Sequence, residues 1–474
     1  MTRPSPETTP ADVVTAAGSR ELQAALRRAV GLALDHEQRS ADLPADTDRD
    51  PVTLASTLDL VPGHEGLELD EVMARLEQVL RTTPSSASPR FLNQLFGGRV
   101  AVSAAAEILT AVPNISMYTF KAAGAQILIE LAVLGKLAEA AGLERGEGAF
   151  FPGGSIANLT AMVLARDRTV PAARNRGLDG SPLVVYTSAE GHYSISKNAG
   201  ILGLGRDQAH AVPVDDRGAM RVDSLRDAIA SDIAARRRPM MVVATAGTTV
   251  RGAFDPIADI AGICAEHGLW LHVDGALGGT LLLSATHRHR LDGVERADSL
   301  TWDAHKMMGI PLQSSVLLTA RRGLLAASLD ERADYLFQAD DETYNPGHRS
   351  IQCGRRNDAL KLWAAWMRLG DAGWEARVDR QLDLARTAAA LIDEDPDFEL
   401  TEPPASINVC FEMRGVPSVA LCDHLDRRGR LKIGHGRVQG RETIRLVCVN
   451  PDLGPEDLQR ILDEIRKAGK DLRT

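Results

Sequence analysis

From Pro182 to Ala320 the chain alternates short apolar runs with helical stretches, and this alternation limits the possible fold more than any other feature. SPLVVYTS reads as a strand, followed after His192 by a helix from Ser194 through Gly203. PMMVVATAGTT is a second strand, Ile257 to His267 a helix, and LWLHVDGA a strand that closes a βαβ unit. Ser299 to Trp302 and Ser314 to Ala320 add two more apolar runs. The order predicts an α/β fold with a mainly parallel sheet covered by helices on both faces. Such sheets hold their ligands beyond the C-terminal ends of the strands. His192, Thr248, Asp274 and Lys306 all fall at or just past such ends, which places them on one edge and in one pocket.

The stretch Leu269 to Gly309 carries the most specific chemistry. LWLHVDGALGG delivers Asp274 to a strand tip, and LTWDAHKMMG ends another strand on Asp303-Ala304-His305-Lys306. A carboxylate that keeps a ring nitrogen protonated and a lysine that forms a Schiff base suit a pyridine aldehyde cofactor. Either residue alone is far more often solvated surface; the combination carries the reading. Upstream, Pro152-Gly153-Gly154 precede Ser155, with an apolar-periodic helix from Ile156. The glycines allow close backbone approach, Ser155 can cap, and the free N–H groups of the first turn can hold a phosphate. A simple capped helix is the alternative. No lysine follows as a Walker motif needs and no GxGxxG is present, which weakens the nucleotide readings.

At 474 residues the chain is long enough for two or three domains, and 44% hydrophobic with 25% charged residues is an ordinary globular composition. A net charge of −10 argues against a nucleic-acid partner. The five cysteines (Cys264, Cys353, Cys410, Cys422, Cys448) lack CxxC spacing and are odd in number, which fits reduced thiols in a cytoplasm. The apolar run Ile127 to Leu137 is interrupted by Glu130 and stops short of membrane-spanning length. MTRPSPETTPADVV lacks the apolar centre of a secretory signal and reads as a frayed tail. A cytoplasmic protein with no membrane partner is the expectation.

Residues 19–39 place Leu22, Leu26, Val30 and Leu34 on one helical face, ADLPADTDRDP is an acidic connector, and a second helix covers about Leu69 to Leu80. These two helices make a poor core alone and read as an arm packed on another body, such as a second subunit. A long helix from Gln126 to Ala141 leads into the glycine segment. ADYLFQADDETYNPGHRS has no regular period and is either a connector or a functional lid. Helices over Asp358 to Leu369 and Trp374 to Ile392 follow. SINVCFEM, Ala420 to Arg428, ETIRLVCV and Pro455 to Gly469 then give strand, helix, strand, helix: a small C-terminal α/β domain. The expected organisation is an arm over 1–88, a large domain over 89–355 and a small one over 356–474.

Several segments resemble the group II pyridoxal-phosphate decarboxylases of acidic amino acids, the glutamate and cysteine sulfinate decarboxylases above all. RFLNQLFGG, PGGSIANL, SAEGHYSISK, ATAGTTVRGAFDPI, HVDGALGG, HRHRLDGVERADSLTWDAHKMMG, DYLFQ, SIQCGRRNDALKLW and IRLVCVNP carry the resemblance in order, from about Pro89 to Leu472. It implies the type I aminotransferase-like fold and a homodimer with active sites at the subunit interface. It also implies roles. Lys306 corresponds to the Schiff-base lysine and Asp274 to the partner of the pyridine nitrogen. His192 corresponds to the histidine that stacks on the ring. Gly154, Ser155, Thr248, Ala276, Asp303 and His305 fall at cofactor-contacting positions, with Ser155 nearest the phosphate. Gln94 matches a residue near cofactor and substrate, and Tyr344 a loop tyrosine that protonates Cα from the neighbouring subunit. Arg445 matches the arginine that grips a substrate carboxylate. Its alternative is a sheet-edge arginine tied to a surface acid, but the apolar setting of IRLV favours the site.

Some positions depart from the family pattern. Phe96 stands where glutamate-type enzymes carry serine and Ser116 where they carry asparagine, as at the sulfinate and aspartate end of the family. A bulky Phe96 would shorten the pocket. Gly275 and Leu277 replace alanine and tryptophan, Asp303-Ala304 replaces Asn-Pro, and the loop between Phe337 and Tyr344 is shorter than usual. The expected activity is therefore α-decarboxylation of aspartate or cysteine sulfinate ahead of glutamate, yielding CO2 and an amine. The competing outcomes are diversion to an aldehyde or to transamination on a specialised-pathway substrate, and a catalytically dead scaffold, which retention of Lys306 and Asp274 disfavours.

Overall fold

A computed structural model describes residues 19–39, 50–331 and 342–473. The N-terminal tail, nearly all of the acidic connector and the first part of the aperiodic loop lie outside these residues. Strand β1 (Phe91–Leu92) comes first. Seven strands then form one sheet: β2 (Glu147–Phe151), β3 (Leu183–Ser188), β4 (Ala209–Val212), β5 (Arg238–Thr245), β6 (Trp270–Asp274), β7 (Ser299–Asp303) and β8 (Ser315–Thr319). Their spatial order is β2-β8-β7-β6-β5-β3-β4. The pairs β4/β3, β3/β5, β5/β6 and β6/β7 are parallel, as the strand–helix alternation predicts. β8 instead runs antiparallel to both β7 and β2. The span 304–314 between β7 and β8 holds no crossover helix, so the chain doubles straight back, and Lys306 sits on this return.

Strands β3, β6, β7 and β8 are buried at every position, because helices cover both faces. Alternate residues feed two different cores: Leu271 and Val273 pack on one side of the sheet, Trp270 on the other. The run containing Glu130 is the buried helix Ala125–Ala140, in which Glu130 forms a two-pronged ion pair with buried Arg355 at 2.8 Å. None of the helices among the described residues is long and apolar enough to cross a membrane.

A second sheet, of order β1-β11-β12-β10-β9, uses β9 (Phe398–Leu400), β10 (Asn408–Met413), β11 (Lys432–Val438) and β12 (Arg441–Val447). Phe91 and Leu92, which the sequence places in the large domain, pair in parallel with β11 of this sheet. The hairpin β11–β12 turns through Gln439 and Gly440, both at positive φ. β11 went unread because KIGHGRV lacks apolar alternation. Its Gly436 lies tight against the turn that follows β5: a Cβ there would fall 2.6 Å from Val250 Cγ1. The two helices expected after residue 357 meet end to end as Ala359–Asp393, turning at Gly370 (φ 64). Their first part packs into the large core and their last turns into the small one, through Leu384, Ala388 and Ile392.

The helices Ser19–Arg39 and Leu69–Thr82 pack against each other, and Leu22, Leu34 and Leu76 on them are more than half exposed. The described part of the aperiodic loop docks on the segment before the buried helix. Asn345 Oδ1 accepts from Phe120 N at 3.1 Å, and Gly347 N donates to Tyr118 O at 2.9 Å.

Candidate active site

The tips of β5, β6 and β7 and the start of the helix Gly154–Thr169 enclose a cleft of about 300 Å³. Asp274, at the last position of β6, is buried; Asn158 Nδ2 donates to its Oδ2 at 2.8 Å and Ala276 N to its Oδ1 at 3.2 Å. Lys306 follows the tip of β7 in a turn closed by its own N–H on the Asp303 carbonyl, at 3.1 Å. Its amine faces the Asp303 carboxylate at 3.4 Å. Arg377 Nε and Gln381 Nε2, from the long C-terminal helix pair, both donate to the Met307 carbonyl at 3.0 and 2.9 Å and pin this turn from outside.

The glycine segment differs from its sequence reading in one respect. The helix begins at Gly154 with Gly153 as its N-cap (φ 102), so Ser155 lies inside the first turn and its side chain caps nothing. A serine in that position keeps its hydroxyl for the cleft, which it lines. Gly154 admits no side chain: a Cβ would stand 2.6 Å from Asp303 Oδ2.

His192 lines the same cleft. Burial lowers its pKa, with the Asp274 charge opposing and the Lys306 charge adding to the shift. Its Nδ1 accepts from Ser194 N at 3.3 Å, which leaves the ring proton on Nε2. His305 is held by Ser314, its Nδ1 lying 3.1 Å from the carbonyl, and burial lowers its pKa too. Thr248 does not face the cleft; its hydroxyl accepts from Ala253 N at 3.1 Å inside a tight turn, and Thr249 forms the wall instead.

Arg445 stands behind that wall. It is 9% exposed and donates to the carbonyls of Thr249, at 2.9 Å, and Asn93. Among the described residues it has no carboxylate partner, and burial lowers its pKa. The surface-acid alternative is thus not what the fold builds.

Four expected residues lie elsewhere in the chain's own fold. Gln94 is exposed, next to the cleft residue Leu95. Phe96 lines an adjoining cavity of about 400 Å³ that shares His305 with the cleft. Ser116 accepts from Arg355 N at 3.2 Å, outside the cleft. Tyr344 packs against Phe120, ring centroids 6.0 Å apart, and borders a different cavity. Sequence reasoning missed Asn158 and Thr245 as cleft residues. Asn158 lies one turn after Ser155 on the helix, a spacing that could have flagged it.

A cleft with a buried acceptor at Asp274, an amine at Lys306, and first-turn amides and a hydroxyl at Gly154–Ser155 fits a phosphorylated pyridine aldehyde. The buried Asp303 Oδ1 and Thr245 Oγ1, neither with a hydrogen-bond partner among the described residues, add unspent polar capacity around it. The chain belongs to the family of the pyridoxal-dependent decarboxylase conserved domain, whose model matches residues 51–414, and its cofactor is pyridoxal 5′-phosphate. It is similar to mouse cysteine sulfinic acid decarboxylase, 40% identical over 447 residues, which cover 90% of this chain and 91% of that protein. Mouse acidic amino acid decarboxylase GADL1 is 39% identical over 445 residues, covering 89% and 81%. The crystal structure of mouse CSAD superposes with a TM-score of 0.91 at 37% identity, covering 95% of this chain and 99% of that one. The chain thus has the mixed α/β, type I fold of these enzymes.

Proposed function

We propose that the chain removes the α-carboxyl group of a short acidic amino acid, aspartate or cysteine sulfinate ahead of glutamate, and releases CO2 and an amine. The observation that carries this reading is Arg445, a buried guanidinium behind the cleft wall that, among the described residues, is held by neutral carbonyls alone. A cation so placed has capacity for an anion, and an acidic substrate brings one. The names of the two mouse relatives point to the same substrate class. Half-buried Phe96 in the adjoining cavity favours the shorter acids.

Bound pyridoxal phosphate supplies a sink for the electron pair left at Cα when CO2 departs. Lys306 would carry it as a Schiff base, and Asp274 would hold the proton on the pyridine nitrogen. Gly154 and Ser155 would hold its phosphate, with His192, Ala276, Asp303 and His305 completing its surroundings and Thr248 bracing the turn that carries Thr249 to the wall. Arg445 and Gln94 orient the substrate, and Phe96 and Ser116 limit its length. Tyr344 returns a proton to Cα.

Tyr344 and Ser116 lie outside the chain's own cleft, and the arm exposes apolar side chains. Both facts support a homodimer in which each subunit completes the other's site. Five free cysteines, four of them buried, fit a cytoplasmic location.

The test is a panel of aspartate, cysteine sulfinate, cysteate and glutamate assayed for CO2 and amine. Equal amounts of both from a three-carbon acid, with less from glutamate, is the expected result. Aldehyde with ammonia or peroxide, or a preference for glutamate, would sink the proposal.

A further inference from the structure

Behind Asp274 runs a chain of buried polar groups whose hydrogens are dictated from the carboxylate end. Trp270 Nε1 lies 2.8 Å from Ser299 Oγ, which lies 2.9 Å from His272 Nδ1. His272 Nε2 is 3.1 Å from Asn158 Oδ1, and Asn158 Nδ2 is 2.8 Å from Asp274 Oδ2. All five residues are buried. The path follows from the strand period: Trp270, His272 and Asp274 occupy alternate positions of β6 and share a face. Ser299 pairs with His272 in the neighbouring strand, and Asn158 comes from the helix laid over both.

A carboxylate only accepts, so the Asn158 amide must present its NH2 to Asp274 and its carbonyl to His272. The ring proton therefore sits on Nε2 and is given to that carbonyl. A neutral ring leaves Nδ1 an acceptor, so Ser299 turns its hydroxyl hydrogen toward it and takes the hydrogen of Trp270, whose indole only donates, on a lone pair. Reversing any link sets two hydrogens or two lone pairs face to face, which is costly in a dry interior. Burial also pushes the imidazole down to about 4, so the ring is neutral, as the relay needs.

We propose that Asn158 and His272 are positioning residues that hold Asp274 as a pure acceptor toward the pyridine nitrogen of the bound cofactor, with Ser299 and Trp270 closing the far end of the chain. The proposal rests on the reading that Asp274 meets that nitrogen. Oδ2 already takes the Asn158 hydrogen and cannot carry a proton facing it. Oδ1 takes one hydrogen from Ala276 N and keeps a lone pair for the ring.

Nitrogen-15 NMR of the holoenzyme tests this at two points. In the unaltered protein, His272 should stay neutral with its proton on Nε2 between pH 6 and pH 8. A proton on Nδ1, or an imidazolium at pH 6, overturns the relay without any variant having to fold. With labelled cofactor, Asn158→Leu should move the ring-nitrogen signal toward the unprotonated position and weaken pyridoxal phosphate binding roughly tenfold, the loss expected for one hydrogen bond to a charged group. A ring signal unmoved in Asn158→Leu but moved in Asp274→Ala overturns the relay and leaves Asp274 in its role. A signal unmoved in Asp274→Ala removes the reading of Asp274 and the proposal with it.

Discussion

The amine of Lys306 faces the carboxylate of Asp303 at 3.4 Å, and that carboxylate is packed against Gly154. The three form one unit at the mouth of the helix. Gly154→Ala would put a methyl group where Asp303 Oδ2 now lies, so the acid must swing and release Lys306. Overpacking of this kind costs about 1–3 kcal/mol, and we expect pyridoxal phosphate to dissociate about tenfold more readily. Equilibrium dialysis followed by visible absorbance measures it. Retention equal to the parent would mean that Asp303 has room to move.

Lys306→Ala should abolish the visible absorbance of the Schiff base and reduce amine formation to background, while circular dichroism stays unchanged. The side chain is partly exposed and anchors no core, so the fold does not depend on it. Amine production at a substantial fraction of the parental rate would mean that another amine carries the cofactor.

Arg445→Met should lower kcat/KM roughly a hundredfold, as expected when one partner of a buried charge pair is truncated. Most of the effect should fall on KM for acidic substrates. Stability should hold or rise, because methionine relieves the burial of a cation. An unchanged KM would place the substrate carboxylate elsewhere.

Mixing Lys306→Ala with Tyr344→Phe subunits discriminates where Tyr344 acts. Tyr344→Phe alone should consume substrate but shift products toward aldehyde. If Tyr344 serves the partner's cleft, a mixed dimer holds one cleft with both parental residues, and amine formation should recover to about a quarter of parental for random pairing. No recovery would put Tyr344 in its own chain's cleft, and parental amine formation by Tyr344→Phe alone would take it out of catalysis.

His272 should also leave a signature in pH-dependent stability. Its pKa falls from 6.5 to about 4 on folding. Between those values the unfolded chain binds the extra proton, so this contribution is complete above pH 6.5 and is lost as pH falls toward 4. Asp255, pushed up to about 7 by burial, slopes the opposite way, so the parental curve alone mixes the two. The stability difference between the parent and His272→Gln isolates the histidine. Urea unfolding should find that difference smaller by about 2 kcal/mol at pH 5 than at pH 7. A difference independent of pH would mean that His272 titrates normally.

The parallel half of the large sheet was legible because its strands are continuous apolar runs separated by helical periods. Asp274 and Lys306 were legible because strand tips are where such sheets keep chemistry. β2 and β11 escaped for a local reason: EGAFF is short and KIGHGRV is half polar. The antiparallel return of β8 was readable in principle, since the stretch after Lys306 is too short for a crossover helix. Thr248 and Ser155 were misjudged in detail because a turn of one residue decides which side chain faces the cleft. Ser116 and Tyr344 could not be located by spacing, since tertiary packing moves them away from the cleft that their own chain builds. Asn158 and His272 are polar residues inside apolar patterns, and only the packed structure reveals their partnership.

The contact between the two sheets has a mechanical meaning. Asn408 donates to the carbonyls of Thr249 and Val250 at 2.9 Å, Arg445 shares the Thr249 carbonyl, and Gly436 leaves no gap beneath Val250. One strip of backbone is thus both the cleft's wall and the small sheet's handle. On the proposed role of Arg445, a substrate anion drawing on it would loosen its hold on that strip, so that capture of the ligand and the contour of the chamber receiving it would move as a single lever.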